Sequence, residues 1–316
     1  MSMKEQLKEY KVFHWIYNLL HYKELQHNKE AFKKYNLHKP LFASISSKDF
    51  PDKESKAWLD INDSANLVAT KERFSSFSVP VQQQIKNWSK NGYLILEKLF
   101  DKATIDIINS EVDRLVNSGA VHFTHDNKIM FANKLSEPIK KTTYHPVLKS
   151  VLEFLLDKEV VPFQTLNFKY GSGQKAHSDS IHMTTYPLGY LIAAWVALED
   201  IHEDSGPLYY YPGSHKLPYL LNNDFGNISS KLSLGQKNYT DYEEVIEDII
   251  AKEKLHPQIF LPKKGDVLIW HANLIHGGMP VVNKLITRKS MVIHYYAKDV
   301  IKYHEITERS SLLDED

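Results

Sequence analysis

Three groups of residues in the second half of the chain could do chemistry. They are His177-Ser178-Asp179, a later His276 within Gly265-Asp266…His276-Gly277-Gly278, and Arg288 twelve residues beyond it. Two neutral imidazoles and one carboxylate suit Fe(II) and leave three adjacent coordination positions open. Side chains two apart on a strand point to one face, so His177 and Asp179 can reach one ion while Ser178 faces away. The third ligand must come from another strand. His276 offers it, because it follows a β-prone run from Val267 to Trp270 that can lie opposite the first strand. Arg288 carries a planar fork that matches a carboxylate with two parallel hydrogen bonds. Among sixteen histidines a His-x-Asp pair alone means little, and the ordered set of motifs carries the reading.

These residues need a framework, and the chain supplies a mainly β one. The runs Thr165 to Tyr170, Tyr190 to Leu198, Val267 to His271 and Ser290 to Tyr296 read as strands, separated by turn chemistry at Gly206-Pro207, Pro212-Gly213 and Lys264-Gly265-Asp266. Before them, Gly92 to Glu97 is β-prone. Asp101 reads as the N-cap of a helix through Val116, and Pro146 opens a second amphipathic helix. The expected fold class is α+β with a mainly β core, a sandwich or barrel closed as a jelly roll and braced by helices. A lid-like insertion is expected at about 216–256, with a helical pattern over Asp241 to Lys254. Residues 1–80 read as an N-terminal helical and loop extension to a domain over 81–316.

Composition narrows the partners. The 316 residues hold 39 basic and 39 acidic side chains, so no global basic field points to nucleic acid or an anionic membrane. The absence of cysteine excludes disulfides, thiolate zinc sites, iron–sulfur clusters and cysteine nucleophiles. The start, Met1 to Gln6, has neither the pattern of a signal peptide nor that of a spanning helix, and a cytoplasmic location is the expectation. Tyr10, Phe13, Tyr17 and Leu20 recur at helical spacing, which predicts a helix docked on the body of the protein, with a membrane-lying helix as the alternative.

The stretches His177-Ser178-Asp179, Trp195 to Asp200, Ser205 to Leu208, Pro212 to His215, Gly265-Asp266…His276-Gly277-Gly278 and Asn283…Arg288 occur together and in order. In this the chain resembles the phytanoyl-CoA dioxygenase-like group of Fe(II)/2-oxoglutarate-dependent oxygenases, over about residues 82–298. The resemblance implies a double-stranded β-helix (jelly roll) core. It also implies iron held by His177, Asp179 and His276, the far carboxylate of 2-oxoglutarate on Arg288, and Trp195 lining the cosubstrate pocket. Dioxygen is then the second cosubstrate. The reaction is hydroxylation of an unactivated carbon of a small-molecule or lipid-like substrate, with release of succinate and CO2. Related halogenases carry a small residue where Asp179 stands, so its presence argues for hydroxylation.

One departure stands out. Gly278 occupies a position where many members have a serine that helps bind the cosubstrate carboxylate, and Asn167, Lys128 or Lys134 is the expected substitute. His271 reads as a core histidine, His182 as a rim residue, and His294 as core. Two alternatives stay open: a cupin-like metalloenzyme that does not use 2-oxoglutarate, and a non-catalytic binding protein on the same fold.

Overall fold

The computed structural model describes residues 9–54, 56–61, 63–124 and 127–313; the opening Met1 to Gln6 lies outside them. Among the described residues twelve strands are formed: β1 (Tyr93–Leu96), β2 (Lys128–Met130), β3 (Val160–Phe168), β4 (Thr184–Tyr186), β5 (Leu191–Ala197), β6 (Leu208–Tyr210), β7 (Gln258–Phe260), β8 (Val267–His271), β9 (His276–Gly278), β10 (Ser290–Ala297), β11 (Ile301–His304) and β12 (Arg309–Ser310). The large sheet runs β1-β8-β5-β10-β3-β2 and the sheet facing it runs β7-β6-β9, every pairing antiparallel. A third sheet runs β12-β11-β4, and its Ile301 and Tyr303 pack with Leu25, Phe32, Ile45 and Phe50.

Alternation along β5 shows how the layers form. Ile192, Ala194 and Val196 point outward into a core shared with the bracing helices, whereas Ala193, Trp195 and Ala197 point inward. The inner layer joins Phe168, Trp195, Trp270 and Val292 of the large sheet to Leu208, Tyr210 and Phe260 of the small one. The brace consists mainly of the helices Lys102–Asn117 and Pro146–Leu156. The first begins where expected, with Asp101 accepting a hydrogen bond from Thr104 N–H at 2.7 Å. Ala57, Leu59, Val68 and Phe74 join this same core, so packing continues across the boundary expected near residue 80.

Gly265, in the turn before β8, has φ +92 and lies against the carbonyl oxygen of Phe100, so no side chain fits there. Asp266 next to it accepts from Lys98 N–H and Lys263 N–H, both at 2.8 Å. The Gly-Asp pair thus sets the entry of the strand that leads to His276.

The N-terminal helix, Lys11–Leu20, does dock on the body, but with its polar side inward. Lys11, His14 and Asn18 are buried, while Phe13, Ile16, Tyr17, Leu19 and Leu20 are exposed. Two contacts fix this orientation: Lys11 pairs with buried Glu308 at 2.5 Å, and Asn18 donates to Phe42 O at 3.0 Å. Periodicity gave the helix correctly; which side faces inward was decided by these long-range polar contacts. No helix among the described residues is long and apolar enough to cross a membrane.

Candidate active site

His177 and His276 form a hydrogen-bonded antiparallel pair, each backbone N–H donating to the other's carbonyl at 2.9 Å. Residues paired this way project to the same face, which brings the two imidazole centroids to 4.5 Å. The expected strand through Asp179 is not formed. Pairing stops at this one bridge, and Asp179 opens a short 3-10 turn, Asp179–Ile181. The turn still delivers the carboxylate to the histidines: Asp179 Oδ1 lies 4.0 Å from His177 Nε2 and 3.7 Å from His276 Nε2. The three ligand atoms lie within 4.8 Å of one another, and all three residues are buried.

The rings are oriented by their second nitrogens. His177 Nδ1 lies 2.8 Å from Lys175 O, and His276 Nδ1 lies 2.9 Å from Leu274 O. A carbonyl can only accept, so each Nδ1 carries the proton and each Nε2 turns a lone pair toward the shared centre. Asp179 is arranged in the same sense. Its Oδ2 accepts from Trp270 Nε1–H at 2.8 Å and lies 3.4 Å from His294 Nε2, which leaves Oδ1 turned toward the two histidine Nε2 atoms. Burial alone would raise this carboxyl; the surrounding His276, His294 and His177 outweigh burial and hold it well below the usual carboxylate range. Burial, with His276 adjacent, pushes His177 down to about 3, which keeps its ring neutral as a ligand must be.

Arg288 is 2% exposed and lies over two rings of the same cavity, its Cζ 5.2 Å from the Phe168 centroid and 5.7 Å from that of Trp195. One terminal nitrogen donates to Ser290 Oγ at 2.8 Å, while its Nε has no hydrogen-bond partner among the described residues. Burial lowers its pKa to about 10, opposed by Glu199, so it stays cationic at neutral pH. The acid that could neutralise it is committed elsewhere: Glu199 accepts from Thr287 Oγ1 at 2.8 Å and from Lys289 N–H at 2.6 Å. A buried guanidinium with an unused donor fits an incoming carboxylate.

The cavity is lined by His177, Asp179, His276, Arg288, Trp195 and His294 among others, so five of the six expected site residues meet there. Asn167 does not. It pairs with Met291 on the helix side of the large sheet and lines a separate cleft with Asn109 and Leu198. Strand alternation sends its neighbours Leu166 and Phe168 into the site instead. Lys134 lies over the Phe131 ring and lines a different cleft as well.

His271 holds Asp60 at 2.9 Å and takes no part in the triad. His182 packs against Tyr239 with centroids 4.5 Å apart and lies 3.3 Å from His304. His294, read from sequence as core, lies 3.4 Å from the Asp179 carboxylate. A signal for it was present, since Ser290, Val292 and His294 alternate along one strand that begins two residues after Arg288.

The insertion also reaches the centre. Its helix, Tyr239–Lys252, buries Tyr242 and Ile246 against Ala176, Ile181 and Ile275, which flank the ligands.

Fold and site define a class: a helix-braced double-stranded β-helix with a buried centre of two histidines and one carboxylate. A family model described as phytanoyl-CoA dioxygenase (PhyH) matches residues 88–290, and the chain belongs to that family. Phytanoyl-CoA dioxygenase domain-containing protein 1 of Danio rerio is 30% identical over 159 residues, 48% of this chain and 50% of that protein, so the chain matches about half of that relative's length. The human peroxisomal phytanoyl-CoA dioxygenase is 24% identical over 269 residues, 75% of this chain and 70% of that protein. Among solved structures, the non-heme alpha ketoglutarate dependent carbocyclase SnoK superposes with a TM-score of 0.61 at 12% identity, covering 77% of this chain and 96% of that one. EctD from S. alaskensis with 2-oxoglutarate and 5-hydroxyectoine superposes with a TM-score of 0.57 at 18% identity, covering 80% and 86%. At these identities the superpositions bear on the fold.

Proposed function

We propose that the chain is an Fe(II)- and 2-oxoglutarate-dependent dioxygenase that hydroxylates an unactivated carbon of a small-molecule or lipid-like substrate, releasing succinate and CO2. One observation carries the reading. Two imidazoles and an ionised carboxylate converge in the cavity that also holds a buried arginine with an unused donor among the described residues. Neither alternative accounts for that pairing, because a cupin-like centre or a plain metal-binding protein has no use for a buried cation beside the ion.

The donor set fits ferrous iron: nitrogen and oxygen ligands, no thiolate, and three positions left open. His177, Asp179 and His276 would hold the ion, and Arg288 would hold the far carboxylate of 2-oxoglutarate with Trp195 and Phe168 as walls. Bound iron and 2-oxoglutarate together supply the activation of dioxygen. The protein's own tasks are geometric and electrostatic. Trp270 and His294 fix the second oxygen of Asp179 so that the first binds in one orientation. Arg288 aligns the cosubstrate, and the aromatic walls exclude water around the reacting carbon. An intact Asp179 leaves no position for a halide, which supports hydroxylation.

The test is a panel of small metabolites and lipids incubated with Fe(II), 2-oxoglutarate and 18O-labelled dioxygen. The reading expects succinate to form in step with a product heavier by one labelled oxygen atom. Succinate-forming turnover that leaves every substrate unlabelled, or product formation independent of 2-oxoglutarate, would contradict it.

A further inference from the structure

Position 278 is glycine because another residue occupies the space its side chain would take. A β-carbon built on Gly278 would lie 2.5 Å from Ser172 Oγ and 3.1 Å from Gly173 N. The Ser172 hydroxyl therefore lies directly against the position from which a side chain on residue 278 would start.

Two contacts hold it there. Gly278 N–H donates to Gln174 O at 2.8 Å, tying the loop to β9. At the loop's start, a β-carbon on Gly171 would come within 2.6 Å of Ser205 O and 2.9 Å of Gly206 O, so the loop is packed directly on a second segment. Ser172, Gly278 and Arg288 line the same cavity. Ser172 Oγ accepts from Gln174 N–H at 3.3 Å, which leaves its own O–H free to donate. A carboxylate offers about four lone-pair sites and an arginine fork fills two, so a neighbouring hydroxyl has a lone pair to bind.

We propose that Ser172 is a cosubstrate-binding residue. Its O–H donates to the 2-oxoglutarate carboxylate held by Arg288, and so supplies from the facing loop the hydroxyl that Gly278 lacks. The inference rests on the 2-oxoglutarate reading above. It assigns the role to Ser172 in place of Asn167, which faces the other side of the sheet.

The test is calorimetric titration of Mn(II)-loaded protein with 2-oxoglutarate, which needs no turnover. Losing a hydrogen bond to a charged group weakens binding by about tenfold or more. Ser172→Ala should raise the dissociation constant by that factor with Mn(II) affinity unchanged, and Ser172→Thr, which keeps the hydroxyl, should lie closer to wild type. The double variant Ser172→Gly/Gly278→Ser, which moves the hydroxyl to the other strand, should recover most of the affinity. A dissociation constant in Ser172→Ala within twofold of wild type, with Mn(II) affinity intact, overturns this inference and leaves the 2-oxoglutarate reading standing. So does parallel loss of Mn(II) and 2-oxoglutarate affinity in both Ser172→Ala and Ser172→Thr with no recovery in the double variant, since that marks a structural role. Wild-type protein that binds Mn(II) but not 2-oxoglutarate overturns both.

Discussion

Ser178, the residue between His177 and Asp179, donates its backbone N–H to the phenol oxygen of Tyr242 at 3.1 Å. Tyr242 is fully buried and lies on the insertion helix, so a segment far along the chain sets the conformation of the His-x-Asp motif. Its hydroxyl also lies 3.0 Å from Ser178 Oγ. Tyr242→Phe would leave a buried N–H without a partner, at a cost of about 1–3 kcal/mol. The expected result is a metal affinity lower by about tenfold, read by competitive Co(II) titration, with secondary structure by circular dichroism unchanged.

The contacts to the second oxygen of Asp179 lead to a separate expectation. Trp270→Phe keeps an aromatic ring, though a smaller one, beside His276 and removes the 2.8 Å donor. His294→Phe removes the group 3.4 Å from the same oxygen. Each should weaken metal binding by about 10- to 100-fold. If the two contacts act together in fixing Asp179, the double variant will lose less than the product of the single losses.

Arg288→Lys distinguishes a planar fork from a simple charge. Lysine retains the cation but cannot form two parallel hydrogen bonds, so affinity for 2-oxoglutarate should fall by about 1.5–3 kcal/mol, the range for hydrogen bonds to charged groups. Metal affinity should be unaffected. Equal 2-oxoglutarate affinity in Arg288→Lys and wild type would remove the fork from the account.

Much of the site was legible in the sequence because it depends on local regularities. The residue types, their order and the separation of His276 from the pair are properties of the chain itself, although a 3-10 turn rather than strand alternation aims Asp179. The departures arise where long-range pairing decides. Whether Asn167 faces the cavity depends on its register against Met291, and one residue of phase reverses the answer. The Lys11–Leu20 helix was evident from its period, but the buried Lys11–Glu308 pair reverses the face it buries. Tyr242 left no local signal at all, since its role exists only once the insertion folds back onto Ser178.

Acid should destabilise the fold through its buried histidines. His27 lies with Nε2 at 3.1 Å from Ser311 O, so that nitrogen donates, and its Nδ1 is buried without a partner among the described residues. Burial, with Lys302 nearby, pushes its pKa from 6.5 down to about 3. Between those values the unfolded chain binds more protons than the folded one, so stability falls as pH drops below about 6.5. His215, lowered to about 3 by burial and then by His271, acts in the same direction. Melting temperature should fall steadily from pH 7 to pH 5, with a shallower slope in His27→Gln. An equal slope in that variant would place the acid sensitivity elsewhere.

The central claim is that one buried centre binds iron and 2-oxoglutarate together. Anaerobic titration of the protein with Fe(II) and then 2-oxoglutarate, followed by visible absorption, tests it most directly. The account predicts a weak charge-transfer band that saturates at one equivalent of each, is lost in His276→Ala, and needs far more 2-oxoglutarate to appear in Arg288→Ala. No band in the wild-type protein, or a band that survives intact in His276→Ala, would contradict it.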